Sequence, residues 1–160
     1  MIWLRAIFMA AALAGCSPTA GTAGATQAPE ASARHPVSGL EVIPLTVTHD
    51  GVGHHFKVEV ARSAAEQSQG LMFRTTMGPD EGMLFPSDPP QQRSFWMRNT
   101  VIPLDIIYID TAGRIESINA MTTPYSETPI PSRGVVGAVL ELNGGRAAAL
   151  GLAAGDKVSW

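Results

Sequence analysis

The 160-residue chain predicts a mainly β fold, a compact sandwich or small barrel carrying two short helices. Three features point there. Apolar and polar residues alternate over short runs such as Phe56-Lys57-Val58-Glu59-Val60, the pattern of a strand with one wet face. Turn-forming clusters of Gly, Pro, Asn and Asp recur at fairly regular intervals. No segment sustains a 3.6-residue apolar period long enough for a helix bundle, and there is no internal repeat.

Taken in order, residues 40–47 read as an edge strand or the approach to one, because Pro44 interrupts an otherwise β-rich run. His49-Asp50-Gly51 turns the chain into the strand at 56–60. Ser63-Ala64-Ala65-Glu66 is a capping box, so a helix should start there and run to about Met72, with Ala65, Leu71 and Met72 inward. Residues 82–85 form a short apolar strand, and Pro86-Ser87-Asp88-Pro89-Pro90 reads as a loop unfit for helix or central strand. The extended chain resumes over 95–98. The run 104–110 is the most strand-like, and Asp110-Thr111-Ala112-Gly113 joins it to 114–118 as a hairpin with Gly113 in the left-handed position. Residues 122–134 are rich in Pro and Ser and read as loop. A strand over 135–142, a break at Asn143-Gly144-Gly145, a short helix over 146–150 and a last strand over 157–160 complete the chain.

The first residues are not part of that domain. Arg5 supplies a positive start, residues 6–13 a short apolar run, and Leu13-Ala14-Gly15-Cys16 ends it with small residues before a cysteine. The run falls short of the ~20 residues a transmembrane helix needs. Leu-Ala-Gly-Cys resembles the lipobox of bacterial lipoproteins, which implies that residues 1–15 are a cleaved signal peptide and Cys16 is acylated. Stable anchoring takes two or more acyl chains. Ser17 stands where an Asp is the inner-membrane retention signal of such lipoproteins, so the resemblance favours the outer membrane. Residues 16–38, mostly Ala, Thr, Gly, Pro and Ser, are expected to form a flexible tether between that anchor and the β domain at 39–160. The protein should face the periplasm from the cell envelope.

Composition narrows the function classes. Net charge is −3, and −4 once Arg5 leaves with the leader, so nothing suggests a nucleic-acid partner. Cys16 is the only cysteine, which leaves the domain without a disulfide framework or a cysteine-based metal or nucleophile site. Ser94, Ser126 and Ser132 lack a nucleophile-elbow context, and no His lies downstream of His55. Phosphate loops, zinc spacings and helical DNA-reading elements are absent.

Gly70-Leu71-Met72-Phe73-Arg74, Gly82-Met83-Leu84-Phe85, Phe95-Trp96-Met97-Arg98-Asn99-Thr100, Ile102-Pro103-Leu104-Asp105-Ile106-Ile107 and Leu140-Glu141-Leu142, with Gly145 and Gly155-Asp156, resemble the DUF192 (UPF0127) family over residues 56–160. The resemblance implies a jelly-roll-like β-sandwich with short helices. It implies no reaction, because no activity, substrate or cofactor is established for that family. Members usually extend the strand after Phe85, where this chain has its proline-rich stretch.

Asp105 shares a strand face with Ile107 and Ile109, so its carboxylate is drawn toward an apolar layer and needs a partner. Arg74 and Arg98 are the candidates, since a guanidinium can fork onto a carboxylate. Such a pair either locks a loop structurally or orients a polar ligand. Trp96, on the Arg98 face, fits a core position or a stack with a guanidinium or sugar ring. Asn99 and Thr100 suit a turn or a ligand contact. Glu141 faces away from Leu140 and Leu142; it could pair with Arg146, or join Asp105 as a general acid and base. Met72, Met77, Met83, Met97 and Met121 with His49, His54 and His55 raise copper, but their irregular spacing among apolar residues is that of core packing, so no metal or other cofactor is assigned.

These residues predict a lipid-anchored binding module for a small polar ligand, a glycan or an envelope protein, with its cleft between residues 98–105 and 122–134. The binding set is Arg74, Trp96, Arg98, Asn99, Thr100 and Asp105. The alternatives are a hydrolase-like enzyme using Asp105 and Glu141, or a structural or assembly lipoprotein.

Overall fold

The computed structural model describes residues 33–160; Cys16, the leader and most of the tether lie outside the described residues. Seven strands and two helices follow in the order β1 (Val42–His49), β2 (Val52–Val60), α1 (Ala64–Gln69), β3 (Glu81–Phe95), β4 (Leu104–Ile109), β5 (Ile115–Asn119), β6 (Ile130–Asn143), α2 (Arg146–Ala149) and β7 (Lys157–Ser159). The strands form one sheet in the order β5-β4-β6-β3-β2-β1-β7, curled into a half-barrel. This is the mainly β fold with two short helices that the residue pattern predicts, and of the two architectures expected it is the barrel-like one. The two edge strands nearly meet: Arg114 bridges Lys157, and the amides of Ile115 and Val158 donate to the carbonyls of Asp156 and Gly113 at 2.9 and 2.8 Å. No described helix is long and apolar enough to cross a membrane.

One core cluster takes residues from every strand, including Val47, Phe56, Leu84, Ile107, Ile115, Leu140 and Val158, and so fills the inside of the curl. A second lies on the outer face of the middle strands, where Met83, Phe85, Ile106, Tyr108 and Val139 pack with Leu71 and Met97. Alternation along each strand sends neighbouring residues to opposite clusters.

Several elements depart from their predicted bounds. β1 lies second from the edge, with Pro44 inside its pairing to β2 opposite Lys57 and β7 covering Thr46–Thr48 on its other side. The capping box forms, with Ser63 Oγ accepting from the Glu66 amide and the Glu66 carboxylate accepting from the Ser63 amide. The helix stops at Gln69, not at Met72, since Gly70 adopts φ 47° and ψ −135°, a conformation reserved for glycine. Ala65, expected inward, is exposed, while Leu71 is buried from the segment after the helix. The first loop after Phe85 is absorbed into β3: Pro86 pairs with Ala138 and Gln91 with Val136, so four residues, 87–90, oppose Gly137 alone as a large bulge. The second predicted loop shortens, because β6 already begins at Ile130.

That bulge folds the β3–β6 ribbon back on itself. Ten residues of straight strand would set Phe85 and Phe95 about 33 Å apart; their rings instead meet edge-to-face at 5.0 Å. Phe95 also meets Tyr108 edge-to-face at 6.3 Å, and the Tyr108 hydroxyl donates to the Ile130 carbonyl. The returning ribbon therefore covers the outer core cluster.

Residues 35–38, assigned to the tether by composition, belong to the domain. His35 Nδ1 lies 3.6 Å from the Glu59 carboxylate, Ser38 Oγ donates to the same group, and the Val60 amide donates to the Glu41 carbonyl. Composition missed this because the ordering comes from a polar contact with a distant strand, not from buried apolar surface.

Candidate functional site

Register places two acids on the outer face. Glu59 pairs with Met83 across β2 and β3, and Met83 with Glu141 across β3 and β6, so the two carboxylates flank one methionine on the same side of the sheet. Both are nearly sealed from solvent, at 3 % and 4 % exposure. Their surroundings differ. Arg74 forks onto Glu59 at 2.9 and 3.1 Å, with Ser38 and His35 adding to it. Glu141 has no hydrogen-bond or ion-pair partner among the described residues, and burial pushes its carboxyl up to about 8. It does not pair with Arg146, whose guanidinium goes to Asp80 at 2.6 Å.

Asp105 is buried as predicted, but neither Arg74 nor Arg98 is its partner. Its Oδ1 accepts from the amides of Met121 (2.9 Å) and Gly145 (2.8 Å), and Oδ2 from the amide of Ala147 (2.8 Å). The carboxylate thus caps the first turn of α2 from a neighbouring strand and ties it to the chain at Met121, where the helix-start amides satisfy an anion without a counter-charge. Nor can it work with Glu141. Asp105 lies opposite Leu142 and Glu141 opposite Ile106, so the two carboxyls project from opposite faces of the sheet. The acid-and-base pair expected as an alternative is not assembled.

The remaining predicted residues separate. Arg74 is held by Glu59. Arg98 lies over the Trp96 ring at 5.6 Å and 3.8 Å from Glu127, with Trp96 half exposed. Asn99 takes a left-handed turn conformation, φ 55°, its carbonyl accepting from the Phe73 amide and its amide group touching Met72 Sδ. Thr100 closes that turn, its amide donating to the Met97 carbonyl.

A cavity of about 350 Å³ opens where the folded-back ribbon faces the segment after α1. Gln67, Leu71, Phe85, Arg93, Phe95, Trp96, Arg98, Thr100 and Glu141 are among its lining residues. It brings together Trp96, Arg98 and Thr100 from the predicted binding set with Glu141, expected only in the alternative acid-and-base pair, and leaves out Arg74, Asn99 and Asp105. The cleft expected between 98–105 and 122–134 is displaced accordingly: the depression at that loop is lined by residues 118–130 alone. Arg74 instead lines a larger groove with Val37, Met72, Phe73 and Met77 on the other side of the 69–74 segment.

Arg93 is the residue that sequence reasoning missed. Its guanidinium donates to Ser87 Oγ at 3.1 Å and Gln67 Oε1 at 3.0 Å and lies 5.4 Å from the Phe95 ring centre. Burial lowers its pKa, and among the described residues no carboxylate pairs with it. Its one signal was a cation between the proline-rich loop at 86–90 and the extended chain resuming at 95. Met83 and Met97 are core residues, His49 binds Asp156 at 3.0 Å, and no group of three His, Cys, Asp or Glu suited to a metal occurs among the described residues.

Comparison with known proteins agrees with this fold. The profile of DUF192, described as "Uncharacterized ACR", matches residues 45–160. A crystal structure of a protein of unknown function from Novosphingobium aromaticivorans is similar over 82 % of this chain and 94 % of that one, at 55 % identity and a TM-score of 0.80. Another, of a protein provisionally labelled a transcription regulator from Sinorhizobium meliloti, is similar over 75 % and 94 %, at 38 % identity and a TM-score of 0.73. No curated protein matches.

Proposed function

The chain belongs to the DUF192 family, and from that starting point we propose that it is a lipid-anchored module of the cell envelope that binds a small polar ligand without turning it over. One observation carries the reading: Glu141, almost fully buried and without a hydrogen-bond or ion-pair partner among the described residues, lines a cavity that also holds the Arg93 guanidinium, with which no described carboxylate pairs. A buried carboxyl left unmatched is costly, and a ligand group would supply what the protein does not. The cavity volume lies at the lower end of small-molecule sites. Arg98 and Trp96 form a polar and aromatic rim. The outer membrane address rests on Leu13-Ala14-Gly15-Cys16 and Ser17.

An enzyme built on Asp105 and Glu141 loses its support from their opposite orientation. Transcription regulation, the label of the Sinorhizobium meliloti protein, finds little here if it means reading DNA with a helix, because the described helices have six and four residues and the net charge is negative. The test is a melting screen of the full-length chain against metabolites and sugars. A ligand present at a hundred times its Kd should stabilise by about 2.7 kcal/mol, and Glu141→Gln or Arg93→Gln should abolish the shift. A stabilising molecule whose effect survives both substitutions removes this site from the account.

A further inference from the structure

We infer that the Glu141 cavity takes an amphoteric molecule of amino-acid type, its ammonium on the Glu141 carboxylate and its own carboxylate on the Arg93 guanidinium. The inference rests on the binding-site reading above and specifies the ligand class.

The comparison between the two buried acids of the outer face carries the argument. Glu59 is matched by a forked arginine, a hydroxyl and a histidine. Glu141, one strand beyond Met83 on the same face, is matched by nothing among the described residues, although it is equally buried. What completes Glu59 is a cation, and a cation is what Glu141 lacks. Arg93 presents the converse. It is a partly buried guanidinium held, among the described residues, by neutral oxygens and a ring, so an oxyanion is the partner they leave wanting.

A molecule satisfying both must carry both charges. A plain organic acid would pair with Arg93 and leave Glu141 protonated. A neutral sugar would hydrogen-bond to the protonated Glu141 and leave Arg93 without an anion. Leu71, Phe85 and Phe95 line the same cavity and offer apolar walls for a hydrocarbon side chain. Arg98 is placed at the rim by its contacts with Trp96 and Glu127.

The remaining charged and titratable groups around Glu141 do not replace a ligand cation. Tyr108 from β4 is kept neutral by burial, Glu59 from β2 is neutralised by Arg74, and the α1 side contributes uncharged Gln67 and Gln69. Since the Glu141 carboxyl titrates near 8, the free protein holds its proton at pH 7. An incoming ammonium favours the ionised form and expels that proton to the buffer.

The test is calorimetry on the full-length chain at pH 7 in phosphate and in Tris, which differ in ionisation enthalpy, using the common L- and D-amino acids. For each amino acid that binds, the matching 2-hydroxy acid and the decarboxylated amine are measured too. The expected result is binding of at least one amino acid with release of close to one proton. The hydroxy acid and the amine should each bind at least about tenfold more weakly, and the hydroxy acid should release no proton. Glu141→Gln should abolish proton release and weaken the amino acid by a similar factor. Failure of every amino acid to bind, binding without proton release, or a hydroxy acid that matches its amino acid overturns the ligand class. If a sugar or simple acid binds instead and loses affinity in Glu141→Gln, the cavity reading survives and only the class falls. Binding indifferent to both Glu141→Gln and Arg93→Gln overturns both.

Discussion

Asp105 and Glu141 sit one register step apart on neighbouring strands, and their environments assign them different work. Asp105 accepts three backbone amides, so Asp105→Asn replaces one acceptor oxygen with a donor aimed at N–H groups. It should destabilise by about 2–4 kcal/mol in denaturant unfolding while leaving ligand-induced stabilisation intact. Glu141 makes the stability depend on pH. Its folded-state pKa is raised from 4.5 to about 8, so the native chain binds more protons than the unfolded one between those values, and stability falls as pH rises through that window. Glu141→Gln should therefore gain on the wild type as pH increases, by on the order of 1–3 kcal/mol from pH 5 to pH 8; a difference in melting that stays constant with pH would refute it. The sequence made the burial of Asp105 legible, through its alternation with Ile107 and Ile109, and also its need for a partner. The partner was not legible, because backbone amides at a helix start carry no residue signature. Trp96 and Arg98 were read onto one face and do stack.

At the scale of elements, the site depends on β3 and β6 lying close. A Cβ on Gly82 would stand 2.5 Å from the Glu141 carbonyl oxygen and 2.9 Å from Leu142 Cδ2, and the backbone atom cannot swing aside. Gly82→Ala should separate the strands, cost roughly 1–3 kcal/mol and weaken ligand binding along with stability, as a melting series with and without ligand would show. Strand identities were readable from alternation and turn residues. Lengths were not, because Pro86, Pro89 and Pro90 signal a break in local pattern while tertiary pairing carries the strand through it as a bulge. The same blindness hid Arg93, whose role appears only once the ribbon doubles back. Gly70 was the one local signal that went unused: helix propensity continued past it, and its backbone conformation did not.

For the whole molecule, the proposed anchor and the β domain are separable. Cys16→Ser, expressed in an exporting bacterial host, should move the chain from the membrane fraction to the soluble periplasmic fraction while leaving its melting temperature unchanged; membrane retention of the variant would dispose of the lipid. The fold class and the family were legible in the sequence because both reside in short motifs at ordinary spacing. Half of the site was not, since it is assembled by a bend. Phe85 and Phe95 come from one strand doubled at residues 87–90, so how far that wall stands from Gln67 and Leu71 across the cavity depends on the count of residues at the crease more than on the bulk of the side chains. Deleting or adding one residue there would resize the chamber while every wall residue kept its identity.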